Sequence, residues 1–350
     1  MGAERKACEL LTEMAMREDR PSNKRSSGVM RNFLIDTDTA SDDAVAIIMA
    51  LAEPSVRVLG LTTVAGNVNL KQATRNALLT AEICNSDVPV FAGADKPLNR
   101  AHDHAHWFHG KDGLGDHGYK APKRKPEHEH AVDAILRLSQ AEPGLTLVTL
   151  GPLTNIALAL ERNPGLAKQI GRCVVMGGAP CCEGNVTPAA EYNIWVDPEA
   201  ASAVFRSKLK IEMIGWHVSR GPSVLRDDEI AAIEAVGIAK AKFAVESNST
   251  ARKAYQLQTG EVGLSLADPT AMAVALDRSV GLTWSRNKVA IETHSELTRG
   301  MTVVDRLNVS ADDNNAQVWK AATGESEGVD ILWTLDSRRF KAMLRAALAA

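Results

Sequence analysis

The stretch "NFLIDTDTASDDAVAIIMALAEP" runs from Asn32 to Pro54 and packs four aspartates into eight positions. A short apolar run of strand composition, Phe33 to Ile35, ends in Asp36 and Asp38. Ser41 then reads as the N-cap of a helix over Asp42–Ala52, with Asp42 and Asp43 in its first turn. The helix dipole favours carboxylates at that end. It gives no reason for Asp36 and Asp38, which sit at a strand end and only add repulsion. Four carboxylates converging on one strand-to-helix turn make sense if a hard divalent cation neutralises them.

The same alternation continues outward from this stretch. Strands are expected at Arg57–Val64, Val88–Gly93, Leu145–Leu150, Cys173–Gly178 and Lys210–Gly215, and helices at Leu70–Cys84, Ala131–Gln140, Leu153–Glu161 and Pro198–Phe205. Strands that are apolar throughout, separated by helices, predict an α/β fold. It is a single open, mainly parallel sheet with helices on both faces and a Rossmann-like core. Ligands of such sheets sit outside the carboxyl ends of the strands. There the sequence places Asp36 and Asp38, then "AGN" from Ala65, "GPLTN" from Gly151 and "GGAP" from Gly177. No internal repeat is visible, so residues 31–350 read as one domain. Residues 1–30, with the charged stretch "MREDRPSNKRSSG", read as a flexible or short-helical extension, and Met30 stands as a second candidate start.

The 350 residues are 45% hydrophobic and 24% charged with a formal net charge of -3, which offers no electrostatic case for nucleic acid or an acidic membrane. The expected partner is a small molecule or another copy of the chain. Five cysteines, scattered apart from the adjacent Cys181 and Cys182, imply reduced thiols rather than a disulfide framework. No apolar run reaches the roughly 18 residues of a membrane span, and Glu9 and Glu13 break any signal-peptide core. A cytoplasmic location is the expectation.

Three kinds of metal loop could use the aspartates. An EF-hand needs an oxygen ligand at the fifth position and glycine at the sixth, where Ala40 and Ser41 stand. A haloacid-dehalogenase-type phosphatase begins with Asp-x-Asp after a strand, but Ala40 replaces its usual Thr or Val and nothing there needs Asp42 and Asp43. The third option is Asp-x-Asp, three residues, then Asp-Asp, and this pattern resembles the signature of the inosine-uridine-preferring nucleoside hydrolases. Further stretches resemble that family in the same order: "TTVAGNV" from Thr62, "HGKDGLGD" from His109, "LGPLTNIALAL" from Leu150, "VVMGGA" from Val174, "NVTPAAEYNIWVDPEAA" from Asn185 and "ADPTAMAVAL" from Ala267. Together they cover about residues 31–340.

The resemblance implies one Ca2+ per subunit, holding the ribose diol and the attacking water. Its ligands are expected to be Asp38, Asp43, Asp268 and the backbone carbonyl of Leu150. The implied reaction is hydrolysis of the N-glycosidic bond of ribonucleosides to free base and ribose, with Asp38 as general base. Asp42 is expected on the ribose hydroxyls and Asp36 behind the site as an orienting group. Asn185, Glu191 and Asn193 are expected at the 5′- and 3′-hydroxyls, Asn67 on the ribose side, and His109 on the nucleoside at the pocket mouth. The family also implies a homodimer or homotetramer.

Two features need separate weighing. His102, His104, His106 and His109 hint at zinc, but no Cys or acidic partner stands at suitable spacing. Ala267 occupies the place where many family members carry the histidine that protonates the leaving base. Trp107, Trp216, His217 and Tyr255 are the candidates for the leaving-group side, each equally readable as packing. A phosphatase and a catalytically silent nucleoside-binding module stand as alternatives.

Overall fold

In the first strand Phe33 and Ile35 belong to one apolar core and Leu34 to the other, and the same split separates Val174 and Met176 from Cys173 and Val175. Side chains alternate across a pleated sheet, so strands that are apolar at every position need cover on both faces. Residues 30–350 are described by the structure, a computed structural model. Apart from Met30, the expected extension over residues 1–30 lies outside the described residues.

Nine strands form one sheet: β1 (Arg31–Thr37), β2 (Val56–Thr63), β3 (Val90–Ala92), β4 (Leu145–Thr149), β5 (Ile170–Met176), β6 (Ile211–Ile214), β7 (Gly281–Ile291), β8 (Thr302–Asp305) and β9 (Val329–Leu335). Their order is β3-β2-β1-β4-β5-β6-β9-β7-β8. Strands β1 to β6 and β9 pair in parallel, while β7 runs antiparallel to both β9 and β8. The sheet is thus open and mainly parallel, as expected. The chain winds outward from β1 to β3, then returns to lay β4 on the other side of β1. That reversal opens a crevice between the carboxyl ends of β1 and β4.

One core holds the helices Ser41–Ala52, Leu70–Ile83, Ala239–Ser247, Ala267–Leu276 and Ser337–Ala349, and the other holds Ala131–Ala141, Thr154–Arg162 and Pro198–Phe205. Helix Ala267–Leu276 packs on helix Ser41–Ala52. Both helices are rich in alanine, whose small side chain permits close approach. Among the described residues no helix is long and apolar enough to cross a membrane.

Two expectations are corrected. Ser41 is not the N-cap: Ala40 takes that extended position, and its N–H donates to Asp43 Oδ2 at 2.9 Å. The Ser41 hydroxyl lies instead 2.8 Å from His109 Nδ1. The expected third strand shrinks to Val90–Ala92, because its pairing with β2 spans only Leu61 to Thr63.

Candidate active site

The two packed helices bring their first turns together. Asp42 and Asp43 open one and Asp268 opens the other, so both dipoles favour carboxylates at one place. Oxygens from these three side chains all lie within 4.8 Å of one another. Asp38 joins them from the end of β1, and its charge acts on Asp268. Asp42, Asp268 and Leu150 reach the wall of a cavity of about 710 Å3, open mouth included, while Asp38 and Asp43 are wholly buried behind it.

Each buried carboxylate is held by specific donors. Asp43 accepts the Thr37 hydroxyl at 2.6 Å as well as the Ala40 N–H. Asp38 Oδ2 accepts the Asn67 N–H at 2.6 Å, whereas its Oδ1 is buried with no protein donor. Glycines make room for this group: a Cβ on Gly66 would lie 2.1 Å from Asp38 Oδ2, and one on Gly151 would lie 2.6 Å from Oδ1. Asp36 sits deeper, accepting Thr62 Oγ1 at 2.5 Å and Asn155 Nδ2 at 2.9 Å, and it does not reach the cavity.

Burial dominates the protonation of the cluster. It pushes Asp36 to about 6, and pushes Asp43 to about 6 with help from the Asp42 charge. Asp38 and Asp268 are driven well above the usual range by burial first and neighbouring carboxylates second. No Lys or Arg among the described residues pairs with any of them, and the one basic neighbour is His109, 3.9 Å from Asp42. Burial lowers the His109 pKa against the pull of Asp42, so the ring favours its neutral form. Buried, unpaired carboxylates with one oxygen left free of protein donors fit a hard, oxygen-seeking cation.

The other predicted residues divide clearly. Asn67, His109, Asn185, Glu191 and Asn193 all line the cavity. Glu191 also caps the helix Tyr192–Val196, its carboxylate accepting N–H groups of Asn193 at 2.9 Å and Gly178 at 2.7 Å. Asn193 Nδ2 donates to the Leu150 carbonyl at 2.8 Å, which leaves that oxygen a second lone pair. On the remaining side Trp107, Trp216 and Tyr255 line the cavity. His217 does not: its Nε2 lies 3.1 Å from the Leu332 carbonyl, so its place beside Trp216 in the sequence misleads. The Tyr255 hydroxyl is taken by Glu261. His104 and His106 stack at 3.5 Å, and no metal-holding histidine cluster occurs among the described residues.

Tyr192, Phe108, Gln258 and Ser265 also line the cavity and were not singled out in the sequence. Tyr192 had a signal, since it stands between Glu191 and Asn193. Gln258 and Ser265 had none.

A family model described as inosine-uridine preferring nucleoside hydrolase matches residues 33–342. The pyrimidine-specific ribonucleoside hydrolase RihA of Shewanella sp. (strain MR-7) is 40% identical over 291 residues, covering 82% of this chain and 91% of that one. The inosine-uridine preferring nucleoside hydrolase of Crithidia fasciculata is 37% identical over 292 residues, covering 82% of this chain and 92% of that one. Among solved structures, a plant nucleoside hydrolase superposes with a TM-score of 0.83 at 31% identity, covering 92% of this chain and 99% of that one. With sequence and fold shared over this much of its length, the chain belongs to the inosine-uridine preferring nucleoside hydrolase family and is an enzyme that hydrolyses ribonucleosides.

Proposed function

We propose that Asp38, Asp43, Asp268 and the Leu150 carbonyl hold one Ca2+ ion, with Asp42 at its rim, and that Asp38 is the general base of the hydrolysis. The observation that carries this reading is the buried Asp38 carboxylate, whose Oδ1 lacks any protein donor and which feels the charges of Asp43 and Asp42, two of the three aspartates whose oxygens cluster with Asp268. A bound calcium supplies positive charge for oxygen ligands and makes a coordinated water more acidic.

The chain's own residues do the rest. Asp38 takes a proton from water as that water bonds to C1′ of the ribose, and the C1′–N bond breaks with its electron pair leaving on the base. The base takes up a proton, so one water and one nucleoside become ribose and free base. Positive charge develops on the sugar in such a transition state, and Asp42 at the cavity wall is placed to stabilise it. Asn67, Asn185, Glu191 and Asn193 orient the ribose hydroxyls, and Trp107, Trp216 and Tyr255 form the side that receives the base. The family resemblance leads us to expect a homodimer or homotetramer, which light scattering checks.

The test is Asp38→Asn, which keeps shape but removes basicity. Its kcat on a panel of purine and pyrimidine nucleosides, read as reducing sugar, is expected to fall by at least about 100-fold. Near-normal turnover overturns the assignment. Chelation followed by calcium titration, read by calorimetry, checks the ion separately.

A further inference from the structure

One peptide group behind the site, that joining Gly66 to Asn67, is held at both polar ends. Its N–H, belonging to Asn67, donates to Asp38 Oδ2 at 2.6 Å. Its carbonyl, belonging to Gly66, receives His102 Nε2 at 2.6 Å and the Tyr192 hydroxyl at 2.8 Å. A carbonyl only accepts, so His102 carries a ring proton on Nε2. Tyr192 shares its single proton with the Asp103 carbonyl at 2.7 Å. Three segments distant in sequence therefore meet on one oxygen.

The described peptide bonds include none in the cis form. A trans peptide is a rigid plate whose C=O and N–H point in opposite directions. Fixing the oxygen from one side therefore aims the N–H at Asp38 on the other. Donors on the oxygen also polarise the plate and strengthen the donor at its far end. The loop admits this close approach only because residue 66 has no side chain, its φ lying outside the left-handed region.

We propose that Tyr192 and His102 are positioning residues for the hydrolysis. Their joint grip on the Gly66 carbonyl keeps the Asn67 N–H on Asp38 Oδ2 and so leaves Oδ1 to the site, for the ion and the reacting water, an inference that rests on Asp38 being the general base. Without that N–H the plane of the Asp38 carboxylate is held less firmly, and the grip fixes the angle at which its undonated oxygen faces the reaction.

The experiment uses Tyr192→Phe, which keeps the ring and removes only the hydroxyl, together with His102→Ala and His102→Gln. Tyr192→Phe and His102→Ala are each expected to lower kcat by about three- to tenfold, the worth of one hydrogen bond, with KM and Tm little changed. His102→Gln, which retains an N–H donor, should recover most of the loss. Hydrogen–deuterium exchange should quicken at the Asn67 amide in Tyr192→Phe and His102→Ala, and not across the rest of the sheet. Wild-type kcat with unaltered Asn67 exchange in both variants overturns the proposal. So does a loss of kcat accompanied by a general fall in Tm and faster exchange everywhere, which is mere destabilisation. Asp38→Asn run in parallel separates the two claims: if it stays active, the general base is misassigned, while Asn67 exchange still reports whether the grip exists.

Discussion

Asn193 Nδ2 donates to the backbone carbonyl of Leu150 at 2.8 Å, tying the first turn of a short helix to the end of β4. The same nitrogen lies 3.3 Å from the Met176 carbonyl at the end of β5, so one side chain bridges two strand ends at the crevice. Asn193→Ala should therefore do more than remove the proposed ribose contact. Calcium affinity, measured by calorimetry, is expected to fall about 10- to 100-fold, as when a group that orients a metal ligand is lost. Asn193→Asp should be no better, because a carboxylate cannot donate to that carbonyl. Unchanged calcium affinity in both variants contradicts a role for the Leu150 carbonyl.

Removing the cation should make stability depend on pH in a definite direction. Asp36 and Asp43 each stand at about 6 in the folded chain against an ordinary value of 3.8, mainly through burial. The folded chain therefore keeps protons that the unfolded chain has released. Stability from this source is complete below about pH 4 and is lost as the pH climbs through about 6. Chelated protein is expected to have a lower Tm at pH 7.5 than at pH 5, by several degrees on the order of the usual scaling. Calcium at a hundred times its Kd returns about 2.7 kcal/mol at the higher pH, and less at the lower one, where bound protons must first leave. Thermal scans at the two pH values, with and without calcium, check both directions.

Gly66→Ala puts a methyl group where Asp38 Oδ2 now sits, 2.1 Å from the added carbon. The neighbour is a fixed, buried carboxylate and cannot yield as a flexible chain end can. Asp38 has to turn and release the Asn67 N–H. Overpacking of this kind costs about 1–3 kcal/mol, well within what a large domain tolerates. Activity is expected to fall by about 100-fold, comparable to losing the base itself. A folded Gly66→Ala protein with wild-type kcat, verified by its Tm, speaks against the tight packing of Asp38.

Much of this was legible in the sequence because its signals were local. Strands β1 to β6 are short apolar runs with turn residues between them, and each residue contributes to one core or the other. Strands β7, β8 and β9 escaped notice; β7 lies in the antiparallel ribbon near the sheet edge, with "SRN" of Ser285–Asn287 at or near the surface. The aspartate cluster stood out by density, and Asp42 with Asp43 distinguished it from a phosphatase loop that needs only Asp36 and Asp38. Contacts between distant segments left no such trace. Ser41 meets His109 across 68 positions and Tyr192 meets Gly66 across 126. His217 shows the converse error: the tight turn Trp216–Ser219 sends adjacent side chains opposite ways, one to the cavity and one to β9.

Ala267 lines the cavity next to Asp268 and brings no proton donor to the leaving base. His217 is turned to Leu332 and the Tyr255 hydroxyl is held by Glu261, with burial pushing its pKa to about 12. Among the described residues His109 is the one histidine on the cavity wall, and burial favours its neutral, weakly acidic form. Protonation of the base is therefore expected to limit natural nucleosides. A p-nitrophenyl riboside, whose leaving group needs no proton, should be cleaved faster than inosine or uridine by about 10²–10⁴-fold, the usual contribution of general acid catalysis. Ala267→His should speed the natural nucleosides and leave the activated riboside nearly unaffected. If wild-type enzyme cleaves inosine or uridine as fast as the activated riboside, an acid is already present. His109→Ala then identifies it, by slowing the natural substrate while sparing the activated one.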